Sequence, residues 1–467
     1  MRENGRFVKE IGGNVSVVAA VSVLALAALT GGVVDYVTAL SHKAKLQAAV
    51  DSGALQAARE LRENGDLSDT ELQTLVAEHV QSVFGAMAGG GFGIEGITAA
   101  RDATGYGVRV TVRGSYGTSF LRLLGIGRLD VDVKSSAAFG HPPLEVALVL
   151  DSTGSMDYDA DGNLCDGAPG CVNRMSILKT AVENFVTELE RNSDGDPESI
   201  RVGVVPYSHY VRVESSLGGE SWIDMSHVTR EECSLRQGPL CLQYTTVVDW
   251  DGFLGFRGNG LNETDDSYDV QGVPAVNGDS PIFLPALAPI LPLTPLDEDG
   301  RQVVLDRVDE MQPDGGTYIP GGLIWGARLL SPQAPFTEGT DATEVVRRGL
   351  RKVIVLMTDG INTCSPDGGD EGYVQCNNGN DVDTAGLESM ERICAYLRET
   401  DPATGRRRAE IVTVGFDLSF LDPVDRDLVE EKLRSCATLG FFSATSRDIA
   451  SVFGRIGAKL AKLHLTE

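Results

Sequence analysis

Asp151, Thr153 and Ser155 alternate along Asp151-Ser152-Thr153-Gly154-Ser155, directly after the apolar run Val146–Leu150. One carboxylate and several hydroxyls on a turn leaving a buried strand suit a hard divalent cation such as Mg²⁺ and are poor ligands for a soft metal. Two distant segments carry matching chemistry: Thr317, in Gly315-Gly316-Thr317 ahead of a helix opening at Pro320, and Asp359, directly after Val353–Thr358. In a parallel α/β sheet, ligand sites gather where loops leave the carboxyl ends of strands. Asp151, Thr153, Ser155, Thr317 and Asp359 are therefore expected to converge on one Mg²⁺, or Mn²⁺ or Ca²⁺ in its place, with a coordination position left open. Hydroxyl ligands are neutral, so such an ion stays electrophilic toward an incoming carboxylate.

A second acidic cluster, Asp157, Asp159 and Asp161 before Gly162, matches the start of an EF-hand loop, but Ala168 stands where a bidentate Glu is needed. A second Ca²⁺ and a solvated, disulfide-tethered loop both remain open readings of it. Ser152-Thr153-Gly154-Ser155 lacks the Gly-x-Ser-x-Gly elbow, and none of the six histidines sits in a recognisable nucleophile context. With no general base placed beside the cluster, a metal-dependent hydrolase is disfavoured and the expectation is a non-enzymatic protein. Gly89-Gly90-Gly91 lacks the Lys-Ser/Thr of a phosphate loop and reads as a hinge.

The elements that would position these residues run from Leu144 to the end. Strands are expected at Glu145–Leu150, Arg201–Tyr207, Lys352–Met357, Glu410–Gly415 and Gly440–Ala444. Helices are expected near Arg174–Arg191, Gly300–Met311, Pro320–Leu330, Asp383–Glu399, Val424–Cys436 and Arg447–Leu463. Continuous apolar strands such as Val353–Met357, with helices between them, predict an α/β fold whose parallel sheet is covered on both faces. The stretch from about 209 to 299, rich in Gly, Asp, Pro and aromatics, is read as an inserted subdomain. Before this domain (144–467), the helical pattern Ser68–Met87 and strand-like runs Ile94–Arg101, Gly107–Arg113 and Asp130–Ala138 predict a small α+β module at 65–143. Ser68-Asp69-Thr70-Glu71 fits a capping box, and His141-Pro142-Pro143 marks the boundary.

Residues 15–34 contain no charged side chain and follow Arg2, Arg6 and Lys9. Twenty residues at ~1.5 Å each span ~30 Å, a bilayer core, so a transmembrane helix is expected there, with residues 1–14 cytoplasmic and 35–64 continuing as a helical stalk. A cleaved signal peptide ending near Ala25-Leu26-Ala27 is the alternative, but the apolar run is longer than a usual signal core. All eight cysteines follow residue 160, which fits disulfides formed in an oxidising compartment. Pairing nearest neighbours gives 165–171, 233–241, 364–376 and 394–436. No cysteine spacing makes a zinc site. A net charge of -27, spread along the chain, argues against nucleic acid or unaided binding to anionic lipid.

The order Asp-x-Thr-x-Ser, then Thr317, then Asp359 resembles the metal-ion-dependent adhesion site of von Willebrand factor A domains, with Thr153 where a serine is usual. That resemblance implies direct or near-direct ligation by Ser155, Thr153 and Thr317, and partly water-mediated ligation by Asp151 and Asp359. It also implies a partner's acidic side chain at the open position. Arg6-Phe7 through Arg59, with Gly13-Asn14, Val34-Asp35-Tyr36 and Leu46–Asp51, resembles the N-terminal region of Tad pilus-assembly proteins of the TadE/TadG type. Thr118–Gly125 and Ile319–Gly326 resemble the TadG branch. No Glu lies five residues after Gly12 or Gly13, so prepilin-peptidase processing is not expected. The resemblance implies a single-pass protein of the bacterial inner membrane, its bulk periplasmic, serving Tad/Flp pilus assembly or secretion. Its partners would be other components of that machinery, with no nucleic acid and no small-molecule substrate. The rival expectation is a surface adhesin using the same site on host or matrix ligands; a purely mechanical tether is a third.

Overall fold

A computed structural model describes residues 12–63, 67–88, 90–102, 107–138, 143–191, 199–237, 239–248, 250–258, 260–268, 271–277, 285–366, 372–377 and 381–462. The chain divides into two compact units, Met1–Gly140 and His141–Glu467.

In the first unit, Gly12–Glu63 forms one continuous helix. The expected cytoplasmic segment lies largely outside the described residues, as do the side chains of 15, 16, 24, 25, 27 and 28 within the expected span. Among the described residues no helix is long and apolar enough to cross a membrane. The stretch expected as a stalk is instead buried along one side: Leu46, Val50, Ala54, Ala57 and Leu61 pack with Leu72, Val76, Val80 and Phe84 of a second helix, Asp69–Met87. That helix opens with the expected capping box, in which Glu71 accepts from the Ser68 N–H and Ser68 Oγ accepts from the Glu71 N–H. Strands Phe92–Arg101, Gly107–Gly117 and Arg128–Ala138 form an antiparallel sheet in sequence order, and Val108, Val110, Val112, Val131 and Val133 complete the core.

In the second unit the sheet has six strands, in the order Leu291–Pro295, Ile200–Tyr207, Leu144–Asp151, Arg351–Thr358, Glu410–Phe416 and Gly440–Ala444. The five expected strands are there and parallel; the sixth, Leu291–Pro295, pairs antiparallel at the edge, so the sheet is mixed. Pro292 and Pro295 hid this strand within the expected insertion, and an edge is where a strand tolerates proline. Side chains alternate between two cores. Val146, Leu148, Val353 and Val355 meet helices Arg174–Glu190, Glu298–Asp309 and Ile449–Lys462 on one face. Ala147, Val149, Ile354 and Leu356 meet Ile319–Leu329, Thr384–Arg398 and Pro423–Cys436 on the other. Glycines bring the Ile319–Leu329 helix close to the sheet: a Cβ on Gly322 would lie 2.6 Å from the Tyr207 ring, and one on Gly326 2.6 Å from Val149.

The other described residues of 209–299 include several short strands, among them an exposed ribbon, Thr229–Gln237 with Leu240–Val248, tied by Cys233–Cys241. The other expected disulfides, Cys165–Cys171, Cys364–Cys376 and Cys394–Cys436, are also formed.

Candidate functional site

From the central strand Leu144–Asp151 the chain proceeds to Ile200–Tyr207 on one side, while Arg351–Thr358 lies on the other. The order of the sheet therefore reverses between two adjacent parallel strands, and a crevice opens at their carboxyl ends. Asp151 ends one of these strands and Asp359 follows the other, which is why residues so far apart in sequence become neighbours.

The Asp151 carboxylate is fully buried. Its Oδ1 accepts from the Thr153 N–H at 2.9 Å, and its Oδ2 accepts from Thr358 Oγ1 at 2.8 Å and Tyr207 Oη at 3.2 Å. Burial raises its pKa, and the donors from Thr153, Thr358 and Tyr207 hold that rise back. Thr153 Oγ1 lies 2.9 Å from Ser155 Oγ, which donates to Asp359 Oδ1 at 2.6 Å. Arg174 Nη1 donates to Asp359 Oδ2 at 2.9 Å. Burial, and then the charge of Asp151, push the Asp359 pKa up to about 7, against the pull of Arg174 and Ser155. Tyr207 is held protonated by burial and by the Asp151 charge, so it acts as a donor.

Thr317, also buried, is reached through the backbone. The Asp314 N–H donates to Ser152 O at 2.8 Å and the Gly154 N–H to Gly315 O at 3.0 Å, so the 314–317 loop is bonded to the Asp151–Ser155 turn. The Thr317 N–H donates to Thr363 Oγ1 at 2.9 Å, and its carbonyl accepts from the N–H groups of Thr363 and Cys364. His209 Nδ1 accepts from the Gly316 N–H at 3.1 Å. The structure thus joins Asp151, Thr153, Ser155 and Asp359 in one side-chain network and ties the Thr317 loop to it by main-chain bonds.

Sequence reasoning missed Arg174, Tyr207, Thr358 and Thr363. Arg174, at the first position of its helix, also approaches Asp417 Oδ2 at 3.5 Å and lies 5.0 Å from the Phe420 ring centroid. Asp417 adopts a left-handed backbone at φ 50° and accepts from the Ser446 N–H at 3.0 Å. Two buried carboxylates, Asp359 and Asp417, therefore share one guanidinium, while the charge of the buried Asp151 also bears on Asp359. Buried charge without a counter-charge is strongly unfavourable. The negative excess, together with the hydroxyls of Thr153 and Ser155, fits a hard divalent cation. Among the described residues no cluster of three His, Cys, Asp or Glu is arranged to hold a metal, so any metal here would depend on hydroxyl ligands.

In the second acidic loop, Asp157 accepts from the Asp166 N–H at 3.0 Å and from Asn173 Nδ2 at 2.8 Å. Asp159 accepts from the N–H groups of Asp161 and Asn163 at 2.9 and 2.8 Å. These two carboxylates close the loop on its own donors, and Cys165–Cys171 staples it.

The Flp pilus-assembly TadE/G-like family matches residues 13–60. No curated protein matches the chain. Among solved structures, the PilB minor pilin of Streptococcus sanguinis is 13% identical, with a TM-score of 0.38 over 80% of this chain and 79% of that one. The adhesive tip pilin GBS104 of Group B Streptococcus agalactiae is 14% identical, with a TM-score of 0.35 over 68% of this chain and 100% of that one. The pilus adhesin SpaC of Lactobacillus rhamnosus GG, in its open conformation, is 14% identical, with a TM-score of 0.37 over 80% of this chain. This chain spans about a third of the SpaC structure, 34%. The family match rests on the N-terminal helix, and the chain carries a TadE/G-like Flp pilus-assembly segment there.

Proposed function

We propose that this protein is a non-enzymatic component of a Tad/Flp-type pilus-assembly or secretion apparatus, anchored by residues 15–34 in the bacterial inner membrane with its bulk in the periplasm. In this reading it docks protein partners through a divalent cation held by Asp151, Thr153, Ser155, Thr317 and Asp359. The observation that carries the docking site is the uncompensated negative charge around Asp151 and Asp359, buried at the carboxyl ends of two adjacent strands and faced by hydroxyl oxygens. The TadE/G-like match at residues 13–60 supports the pilus assignment, and the four disulfides support an oxidising compartment.

A bound cation would supply a Lewis-acidic position for a carboxylate of the partner. Arg174 neutralises part of the charge of Asp359, and Tyr207 and Thr358 fix Asp151 in one orientation. Thr363 and His209 hold the loop that carries Thr317. The exposed ribbon 229–248, with Leu235, Leu240, Leu242 and Tyr244 open to solvent, gives the partner a second contact and hence specificity.

The test is capture of partners from solubilised membranes with Mg²⁺ or EDTA, using wild type and Asp151→Ala. The reading predicts Mg²⁺-dependent capture of pilus components that falls to the EDTA level in the variant. Capture that is equal in EDTA and Mg²⁺ would leave the cation, if any, a purely structural part. Outer-surface exposure on intact cells would move the protein to the adhesin class.

A further inference from the structure

We propose that the loop joining the second and third strands of the N-terminal unit, Thr118–Gly127, is a membrane-contacting finger that enters the interfacial layer of the bilayer beside the N-terminal helix. The inference deepens the anchoring reading and rests on it, because it needs residues 15–34 in the membrane. The loop is built as a fixed body. The Thr118 N–H donates to Gly127 O, the Ile126 N–H to Leu121 O and the Leu123 N–H to Phe120 O, around a short 3-10 turn, Leu121–Leu124, ended by Gly125 at φ 84°.

Asp35 fastens this body to the helix. Its buried carboxylate accepts three backbone N–H groups of the loop, from Ser119 at 3.0 Å and from Phe120 and Leu121 at 2.7 Å each. Gly31 and Gly32, one turn earlier, open a notch in the helix for the loop's side chains. A Cβ on Gly31 would fall 2.2 Å from the Phe120 ring, and one on Gly32 3.0 Å from Leu121.

What the loop then offers to solvent is apolar: Phe120 at 42%, Leu123 at 72%, Leu124 at 60% and Ile126 at 46% exposure. A rigid loop with four such residues outward is an unusual surface to leave in water. Its occupant is set by what it adjoins. The same helix exposes Val17, Val18, Val21, Val23, Leu26 and Leu29 below the notch, so the loop's apolar surface extends that of the expected span at its outer end. Tyr36, 59% exposed on the next turn, and Arg122, exposed within the loop, are residue types that settle at the headgroup level. A lipid surface satisfies all of these groups together.

The test uses the full chain reconstituted in vesicles of phosphatidylethanolamine and phosphatidylglycerol, with or without added phosphatidylcholine brominated on its acyl chains. Leu124→Trp places a fluorophore at an exposed position, and Leu123→Trp repeats the reading should the first variant misfold. The native Trp222, Trp250 and Trp325 are buried and give the wild-type background. The proposal predicts that brominated lipid removes most of the emission that the variant adds over wild type. A chain that co-floats with the vesicles but keeps that emission overturns the finger and leaves the anchor standing. A chain that fails to co-float overturns both. Unquenched emission with concentration-dependent dimerisation, lost in Leu123→Asp, would assign the surface to a second copy of the chain instead.

Discussion

Each unit of this protein buries aspartate, and the two treat it in opposite ways. In the N-terminal unit, burial raises the pKa of Asp35 but three backbone N–H donors outweigh it, and the pKa ends below the ordinary carboxylate value of 3.8. In the C-terminal unit, Asp151 and Asp359 receive mostly hydroxyl donors, only Asp359 is paired with an arginine, and both pKa values are raised. A carboxylate whose bonds are complete is a structural pin. One left with excess charge is, in the reading proposed above, a candidate cation site.

The largest expected effect comes from removing the existing counter-charge. Arg174→Gln leaves Asp359 and Asp417 buried without a counter-charge, and breaking such a pair costs about 3–5 kcal/mol. The comparison predicts that this loss, read by urea unfolding in EDTA, shrinks when Mg²⁺ is added, because the cation takes over the charge of the guanidinium. An identical loss with and without Mg²⁺ would break the comparison. Next comes the removal of a ligand. Mg²⁺ at a hundredfold excess over its dissociation constant would stabilise wild type by about 2.7 kcal/mol. Asp151→Asn should abolish that gain while costing little in EDTA, since it also removes like-charge repulsion on Asp359. Asp35→Asn should destabilise the N-terminal unit equally in EDTA and Mg²⁺.

The pH dependence sharpens the same contrast. Asp359 has a folded pKa of about 7 against an ordinary 3.8, so between these values the folded state binds more protons. In EDTA its contribution to stability is full below pH about 4 and is lost as the pH rises through about 7. Asp35 is depressed, so its contribution is present above 3.8 and lost as the pH falls through its lower folded value. Unfolding curves across this range, for wild type against Asp359→Asn and Asp35→Asn, would show the two slopes with opposite signs. The smallest effect belongs to the supporting shell. Thr363→Val deprives the Thr317 N–H of its acceptor, at about 1 kcal/mol, and should weaken Mg²⁺ binding without abolishing it.

The parts of this design that were legible in the sequence are those written locally. Apolar runs such as Val353–Met357 marked the parallel strands, Asp151-x-Thr153-x-Ser155 marked the turn, and cysteines near in sequence proved to be paired. Leu291–Pro295 was hidden because two prolines imitate a loop, and only its place at the sheet edge makes them acceptable. Arg174 looked like an ordinary residue opening a helix, and its two carboxylate partners lie 185 and 243 residues further along the chain, at 359 and 417. The clamp of Asp35 was hidden for the same reason, since its donors begin 84 residues away and are backbone groups that carry no residue-type signal. The expected stalk was legible as a helix, but not as half of a core shared with the sheet.

The central claim is that the negative excess at Asp151 and Asp359 is a cation site. Calorimetric titration of the metal-free protein with Mg²⁺ at neutral pH, wild type beside Asp151→Asn, tests it most directly. The account predicts saturable binding of one ion per chain in wild type and none in the variant. No binding in wild type, or equal binding in both, would contradict it.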